Sequence, residues 1–304
     1  MKNQSVQKNI GLALGLIVCG VASLSFLAPT ATAHSKKSKK RLLVVTVTKG
    51  FRHTGSIAVG EPIVEKLGLD SKEWATDFVR TESEMATKMT APALKKYDAV
   101  FFLNTTGVLP LPDPKGFLDY IKAGHGFIAV HSGSDTFHQF PGSKGEVSDY
   151  IEMLGGEFLT HHGQCAVMAK IEDPTFPALK PLTKLAKVKL TATDELKDKD
   201  TKNATATDGK TWKVFDEIYL MKNNDRKNLH ALLSLDAYPN DGSPEANTPG
   251  EHLLAWTKSY GKGRVFYTEF GHRDEVWKDA NYQAHLKGGI EFALGLSKGD
   301  TTPN

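Results

Sequence analysis

Short uncharged runs alternate with helix-patterned stretches through the first half of the chain. Arg41-Leu-Leu-Val-Val-Thr-Val47 is β-branched and reads as a buried strand. Ser56 to Leu67 places Ile57, Val64 and Leu67 at helical spacing, and Gly68 reads as the stop. Trp74 to Val79 alternates as a second strand, and Ala99-Val-Phe-Phe-Leu103 is a third. Phe117, Tyr120 and Ile121 form the apolar face of a helix ending near Gly124. Phe127 to Val130 carries no charge, as expected of a strand buried on both faces. This strand–helix rhythm predicts a parallel sheet with right-handed crossovers.

The second half is less regular. Tyr150 to Leu154 reads as a helix that stops at Gly155-Gly156, and Gln164 to Ile171 alternates as a strand. Residues 184–210 are polar and rich in Lys, Asp and Thr, the composition of a weakly structured surface insertion. Leu229–Leu235, Leu253–Trp256 and Val265–Thr268 read as three more strands. Tyr282 to Leu296 is a closing helix with Leu286, Ile290 and Ala293 on one face. No repeat or Pro-rich linker divides the chain. The expected fold is a single α/β domain over 42–298, a three-layer sandwich around a mostly parallel sheet. Additional strands fall in its C-terminal half, and 299–304 is left as a tail.

Residues 1–33 stand apart. Lys2 and Lys8 precede an apolar run from Ile10 to Leu27, and Ala31-Thr32-Ala33 is a small-x-small cleavage site. The pattern is that of a secretory signal peptide cut after Ala33, followed by a basic linker over 34–41. The expected location is secreted or periplasmic. An uncleaved membrane anchor is the alternative, because the run approaches the length of a span. Without 1–33 the formal charge falls from +3 to +1, so the domain carries no basic face for nucleic acid. Only Cys165 then remains, which excludes an intramolecular disulfide. Composition gives no oligomeric state.

Polar residues follow the predicted strands, where open parallel sheets bind ligands. Lys49-Gly-Phe-Arg52-His53 follows the first, Asn104-Thr-Thr-Gly107 the third, and His131-Ser132-Gly-Ser-Asp135 the fourth. Glu269-Phe-Gly-His272-Arg-Asp follows the last. The turn after Val130 resembles a nucleophile elbow with an imidazole at its apex, and its ring is expected to stand exposed. His131 there disfavours a Ser-His-Asp triad built from Ser132 or Ser134. His53, alternatively, caps the helix after it. Asp216-Glu217 reads as a turn with solvated acids, and Trp256 and Trp277 as packing residues. No His-Glu-x-x-His and no paired Cys announces a metal. Yet His53, His131, His161 and His272 could bind a divalent ion such as zinc if the fold gathers them.

Together these segments resemble the trehalose-utilisation, or ThuA-like, family over about residues 42 to 296. The motifs are Gly50-Phe-Arg-His53, Gly126-Phe-Ile-Ala-Val-His-Ser-Gly-Ser-Asp-Thr136 and Tyr150-Ile-Glu-Met-Leu-Gly-Gly-Glu-Phe158 with His161. Asp216-Glu-Ile-Tyr219, Ala255-Trp256 and Gly261-Lys-Gly-Arg-Val-Phe-Tyr-Thr-Glu-Phe-Gly-His272 complete them. His125 stands where the family usually shows Gly. The resemblance implies a flavodoxin-like fold of the class I glutamine amidotransferase type. The elbow position that carries Cys in amidotransferases is His131 here, so thiol-based glutamine hydrolysis is not expected. The resemblance also implies a small carbohydrate, a disaccharide or a sugar oxidised at carbon 3, as substrate. In that reading His131, His272 and Glu217 are catalytic, and Arg52, His53, Asn104, Ser132, Asp135 and His161 bind substrate. A non-catalytic carbohydrate-binding or interaction protein and a metal-dependent hydrolase are the rival readings. Cleavage after Ala33 predicts an exported protein beginning at His34. N-terminal sequencing checks it, and a chain still beginning at Met1 would refute cleavage.

Overall fold

The computed structural model describes Gly11, residues 38–185 and residues 205–304. Residues Lys39–Asn304 form one unit. Its first half runs β1 (Lys40–Val45), α1 (Thr54–Ser71), β2 (Trp74–Val79), α2 (Glu82–Lys88), α3 (Ala91–Leu94), β3 (Ala99–Leu103), α4 (Pro114–Lys122) and β4 (Gly126–Val130). A 3-10 turn, His131–Asp135, leads to α5 (Asp149–Leu154), β5 (Glu157–His161), β6 (Cys165–Ile171) and α6 (Lys180–Leu185). Then come β7 (Thr205–Thr207), β8 (Thr211–Asp216), β9 (Tyr219–Lys222), β10 (His230–Ala237), β11 (Pro249–Tyr260) and β12 (Gly263–Thr268). α7 (Asp274–Lys278) and α8 (Ala280–Ala293) close the fold.

The main sheet has the order β2-β1-β3-β4-β12-β11-β10-β6-β8-β7. Its first five strands are parallel, the flavodoxin-like arrangement. From β12 outward every pairing is antiparallel. β5 and β9 form a separate antiparallel ribbon.

Strand periodicity sends alternate side chains to two cores. Leu42, Val44, Phe101 and Ile128 face α1 and α8, with Ile57, Val64, Leu286 and Ile290. Leu43, Val45, Phe102 and Phe127 face α4 and α5, with Phe117, Ile121, Tyr150 and Ile151. Phe101 and Phe102 are both fully buried, and each contributes about 1.5–3 kcal/mol. Local chemistry fixes the helix starts. Asp113 caps α4 through the Gly116 N–H, with Pro114 in its first turn, and Asp279 caps α8.

The structure corrects several expectations. Gly68 does not stop α1, which continues to Ser71. The glycine is there for space: a Cβ would stand 2.6 Å from Trp74 Nε1. β11 is far longer than the apolar run Leu253–Trp256, because strand pairing carries it through polar residues on both sides. Within the polar stretch 184–210, Thr205–Thr207 is a strand paired to β8. Residues 186–204 lie outside the described residues. The 299–304 segment packs against β10. Asn304 hydrogen-bonds both backbone groups of Ala231, and the Thr302 carbonyl lies 2.6 Å from His230 Nδ1. Lys40, assigned to the linker, opens β1 just ahead of Arg41, where the strand was expected to begin. The signal-peptide reading, Gly11 apart, and linker residues 34–37 lie outside the described residues. Among the described residues no helix is long and apolar enough to cross a membrane.

His138 ties the 3-10 turn to the β5–β9 ribbon. Its Nε2 lies 2.7 Å from Asp135 Oδ1 and its Nδ1 2.6 Å from Glu157 Oε1. Asn223, just past the end of β9, donates to Glu157 Oε2. Asp135, against opposing burial and with help from Glu157, holds the His138 pKa above its ordinary 6.5. A raised folded pKa gives stability that is complete below the unfolded value and lost as pH rises through the folded one.

Two outcomes follow from this packing. Alanine normally stabilises a helix interior by about 0.5–1 kcal/mol over glycine. Gly68→Ala is expected instead to destabilise by about 1–3 kcal/mol, because fully buried Trp74 blocks the new methyl. A raised urea midpoint would contradict this. For His138, an NMR titration should show a midpoint above 6.5. The stability lost in His138→Ala should be largest below that pH and shrink as the wild-type ring deprotonates. A midpoint at or below 6.5 would remove the brace.

Candidate functional site

The carboxyl ends of the parallel strands deliver three imidazoles to one place. His53 follows β1 and occupies the N-cap of α1, but its side chain makes no capping hydrogen bond. His131 follows β4 directly with φ +45°, a left-handed backbone uncommon outside glycine. His272 follows β12 through Gly271 at φ +122°. There even a Cβ would stand 2.6 Å from Tyr282 Oη. Glu217 comes from the turn between β8 and β9. Ring centroids are 5.1 Å apart for His53 and His131, 5.4 Å for His53 and His272, and 5.2 Å for His131 and His272. One ligand atom from each of His53, His131, Glu217 and His272 lies within 4.8 Å of the others.

Surrounding groups fix these side chains. His131 Nδ1 is 3.1 Å from the Glu269 carbonyl oxygen, and the His131 ring packs 4.1 Å from that of Tyr219. His131 Nε2 is buried and has no hydrogen-bond partner among the described residues; Glu217 Oε2 stands 3.5 Å away. His53 Nδ1 pairs with Ser132 Oγ at 3.2 Å. Gln164 Nε2 lies 3.2 Å from His272 Nδ1, and Glu217 Oε2 lies 3.8 Å from His272 Nε2. His161, at the end of β5, brings Nδ1 to 3.2 Å from Glu217 Oε1. Behind them, fully buried Asp216 accepts the backbone N–H groups of Gly271, His272 and Arg273. Buried Glu269 accepts the Tyr219 N–H and the Tyr267 hydroxyl.

The cluster divides its charge unevenly. Burial, and then the neighbouring His131, push the His53 pKa down to about 3 and that of His272 to about 4. Burial also opposes charge on His131. The carboxylates of Glu217 and Glu269 outweigh it and raise the pKa to about 9. Glu217 is held below the usual carboxylate range, because the imidazoles outweigh its own burial. Near neutral pH the cluster thus holds two uncharged imidazoles beside a histidinium–carboxylate pair. It can accept a proton at one ring and donate a hydrogen bond from another. His53, His131, Glu217 and His272 are also the residues that could hold a metal ion.

Other expected site residues fall elsewhere. Arg52 directs Nη1 to the Thr46 carbonyl. Asn104, buried at φ +49°, uses its amide hydrogens on Ser56 Oγ and the Gly271 carbonyl, and so braces the loops. Ser132 braces His53. Asp135 lies outside the cluster because it holds His138. The expectation of an exposed His131 is wrong: the ring is fully buried by Tyr219 and the loops around it. Asp216 is not a solvated turn acid, as the three N–H groups it accepts make plain. Ser134 Oγ donates to the His131 carbonyl and forms no triad. Trp256 and Trp277 are fully buried in the cores, as expected. Buried Cys165 on β6 has its thiol pKa pushed up to about 12 by burial, then by Asp241 and Asp216. The sequence reading missed Phe51. It is 72% exposed and stands edge-on to His53, with ring centroids 4.9 Å apart. An aromatic next to a polar motif was the signal available for it. A separate cavity of about 700 Å³, lined by Ile151, Asn223, Lys227 and Lys258 among others, contains none of the cluster residues.

Known proteins place this arrangement in context. A ThuA-like protein from Bacteroides uniformis is 18% identical, with 87% of this chain and 94% of that one covered at a TM-score of 0.58. A ThuA-like protein from Parabacteroides merdae is 16% identical, with 88% and 94% covered at a TM-score of 0.61. Those likenesses establish the fold. No curated protein matches the chain. The ThuA family, described as trehalose utilisation, matches residues 41–293. That span takes in every strand beyond the first residue of β1, together with the His53, His131, Glu217 and His272 cluster, and the chain belongs to the trehalose utilisation family.

Proposed function

We propose that this protein is a secreted carbohydrate-processing enzyme acting on a disaccharide or a 3-keto-glycoside, without a cysteine nucleophile. The observation that carries the reading is the buried pairing of His131 with Glu217 and Glu269, at 3.5 and 3.7 Å, at the end of a parallel strand. A buried histidine–carboxylate pair beside uncharged imidazoles is chemistry a simple binding surface does not need. Membership of the trehalose utilisation family supports a sugar as the ligand.

The protonation pattern suits an oxidised sugar. A keto group at carbon 3 acidifies the hydrogen on carbon 2. Uncharged His272 takes that proton. The electron pair forms the carbon 1–carbon 2 double bond, and the glycosidic oxygen leaves carbon 1. A protonated imidazole returns a proton to that oxygen, releasing an alcohol and an unsaturated keto sugar. Exposed Phe51 offers its ring as a stacking surface for the sugar at the mouth of the site.

Glu217→Gln keeps the side-chain volume and removes the charge. It is expected to cut turnover on 3-keto disaccharides by about 100-fold or more, with little change in melting temperature. Phe51→Ala should raise KM while leaving kcat nearly unchanged, because stacking is equal in ground and transition states. Wild-type protein that binds these sugars without turning them over would establish the non-catalytic binding alternative.

A further inference from the structure

We propose that His53, His131, His272 and Glu217 form a binding site for a single divalent transition-metal ion, with zinc the ion that the donor set favours. Three imidazole nitrogens and one carboxylate oxygen are a zinc-like set. The four residues come from turns after β1, β4, β8 and β12, so the fold alone brings them together. Their ligand atoms already lie within 4.8 Å of one another. Tetrahedral zinc needs roughly 3.3 Å between ligand atoms. A small inward rotation of the side chains closes that difference.

An independent observation comes from His131. Its ring is fully buried, and its Nε2 has no hydrogen-bond partner among the described residues. Nδ1 faces the Glu269 carbonyl at 3.1 Å, and a carbonyl can only accept. Nδ1 therefore keeps its hydrogen in both charge states, and an incoming cation displaces the Nε2 proton to solvent and meets that nitrogen's lone pair beside Glu217 and the other imidazoles. This is how proteins orient a ligating histidine: its second nitrogen is tied to a backbone carbonyl or carboxylate. His53 is held likewise at Nδ1 by Ser132 Oγ. His131 leaves β4 in left-handed backbone at φ +45°, with its ring buried. A metal there would supply a Lewis acid for a sugar keto or hydroxyl oxygen.

The site uses the same side chains as the carbohydrate reading and rests on it only for the role of the ion. Binding is therefore measured without sugar, so either idea can fail alone. The purified protein is stripped with chelator, dialysed against zinc, and analysed for metal content. Zinc affinity is measured by calorimetry, and a cobalt-loaded sample is examined for visible d–d absorption. The expected result is about one zinc per chain, a higher melting temperature with zinc, and the strong bands of cobalt bound by nitrogen and oxygen. His272→Ala and Glu217→Gln should each weaken zinc binding by about 100-fold or more, whereas His162→Ala, outside the cluster, should not. Circular dichroism of each variant separates loss of a ligand from loss of the fold. If His131→Ala does not fold, the other two variants decide. Wild-type protein that retains no zinc would overturn the proposal, and so would folded His272→Ala and Glu217→Gln that bind it as tightly as wild type.

Discussion

The Asp216 carboxylate joins the two halves of the sheet. It ends β8, in the antiparallel half, and accepts the N–H groups of Gly271, His272 and Arg273 beyond β12. It also accepts the Glu217 N–H. A buried carboxylate is costly unless its oxygens are satisfied. Burial raises the Asp216 pKa to about 6, against the pull of His131 and these backbone donors. The same carboxylate therefore sets the loop that carries His272 and the turn that carries Glu217. Glu269, which accepts the Tyr219 N–H, ties the same two loops a second time.

Close to that anchor, two site-forming strands end in unusual backbone. Asn104 and His131 both adopt left-handed backbone at the ends of neighbouring strands. Asn104 Oδ1 and His131 Nε2 are buried without hydrogen-bond partners among the described residues. Left-handed backbone and an unpartnered buried polar atom occur elsewhere too, as at Phe137 and Trp74 Nε1, but at Asn104 and His131 both fall on the same residue. The cluster thus takes His53 and His131 from the flavodoxin-like half and Glu217 and His161 from the C-terminal half.

Strands whose apolar character is continuous could be read directly. β3 and β4 are buried on both faces throughout, and β1 is from Leu42 on, so no polar residue interrupts those runs. Short elements escaped. β8 and β9 carry polar residues among the apolar ones and gain their structure from partners distant in sequence. α2 was legible in principle: Thr81 and Glu84 form a capping box, the usual signature of a helix start. α7 is too brief for a periodicity to emerge, and its Trp277 is placed by packing on α1 at Gly60.

The sequence by itself determined the parallel half of the sheet, the family resemblance, and the candidacy of His53, His131 and His272. Those follow from local patterns, because a polar motif at the end of a buried strand must emerge at one edge of a parallel sheet. Tertiary structure alone decided which candidates meet. Glu217 enters the cluster while Asp135 is diverted to His138. Asn104 and Ser132 become braces, and the elbow histidine lies buried where the turn suggested exposure. These outcomes depend on contacts between segments separated by tens to hundreds of residues. No local pattern encodes the distance between a strand end and the turn that closes over it.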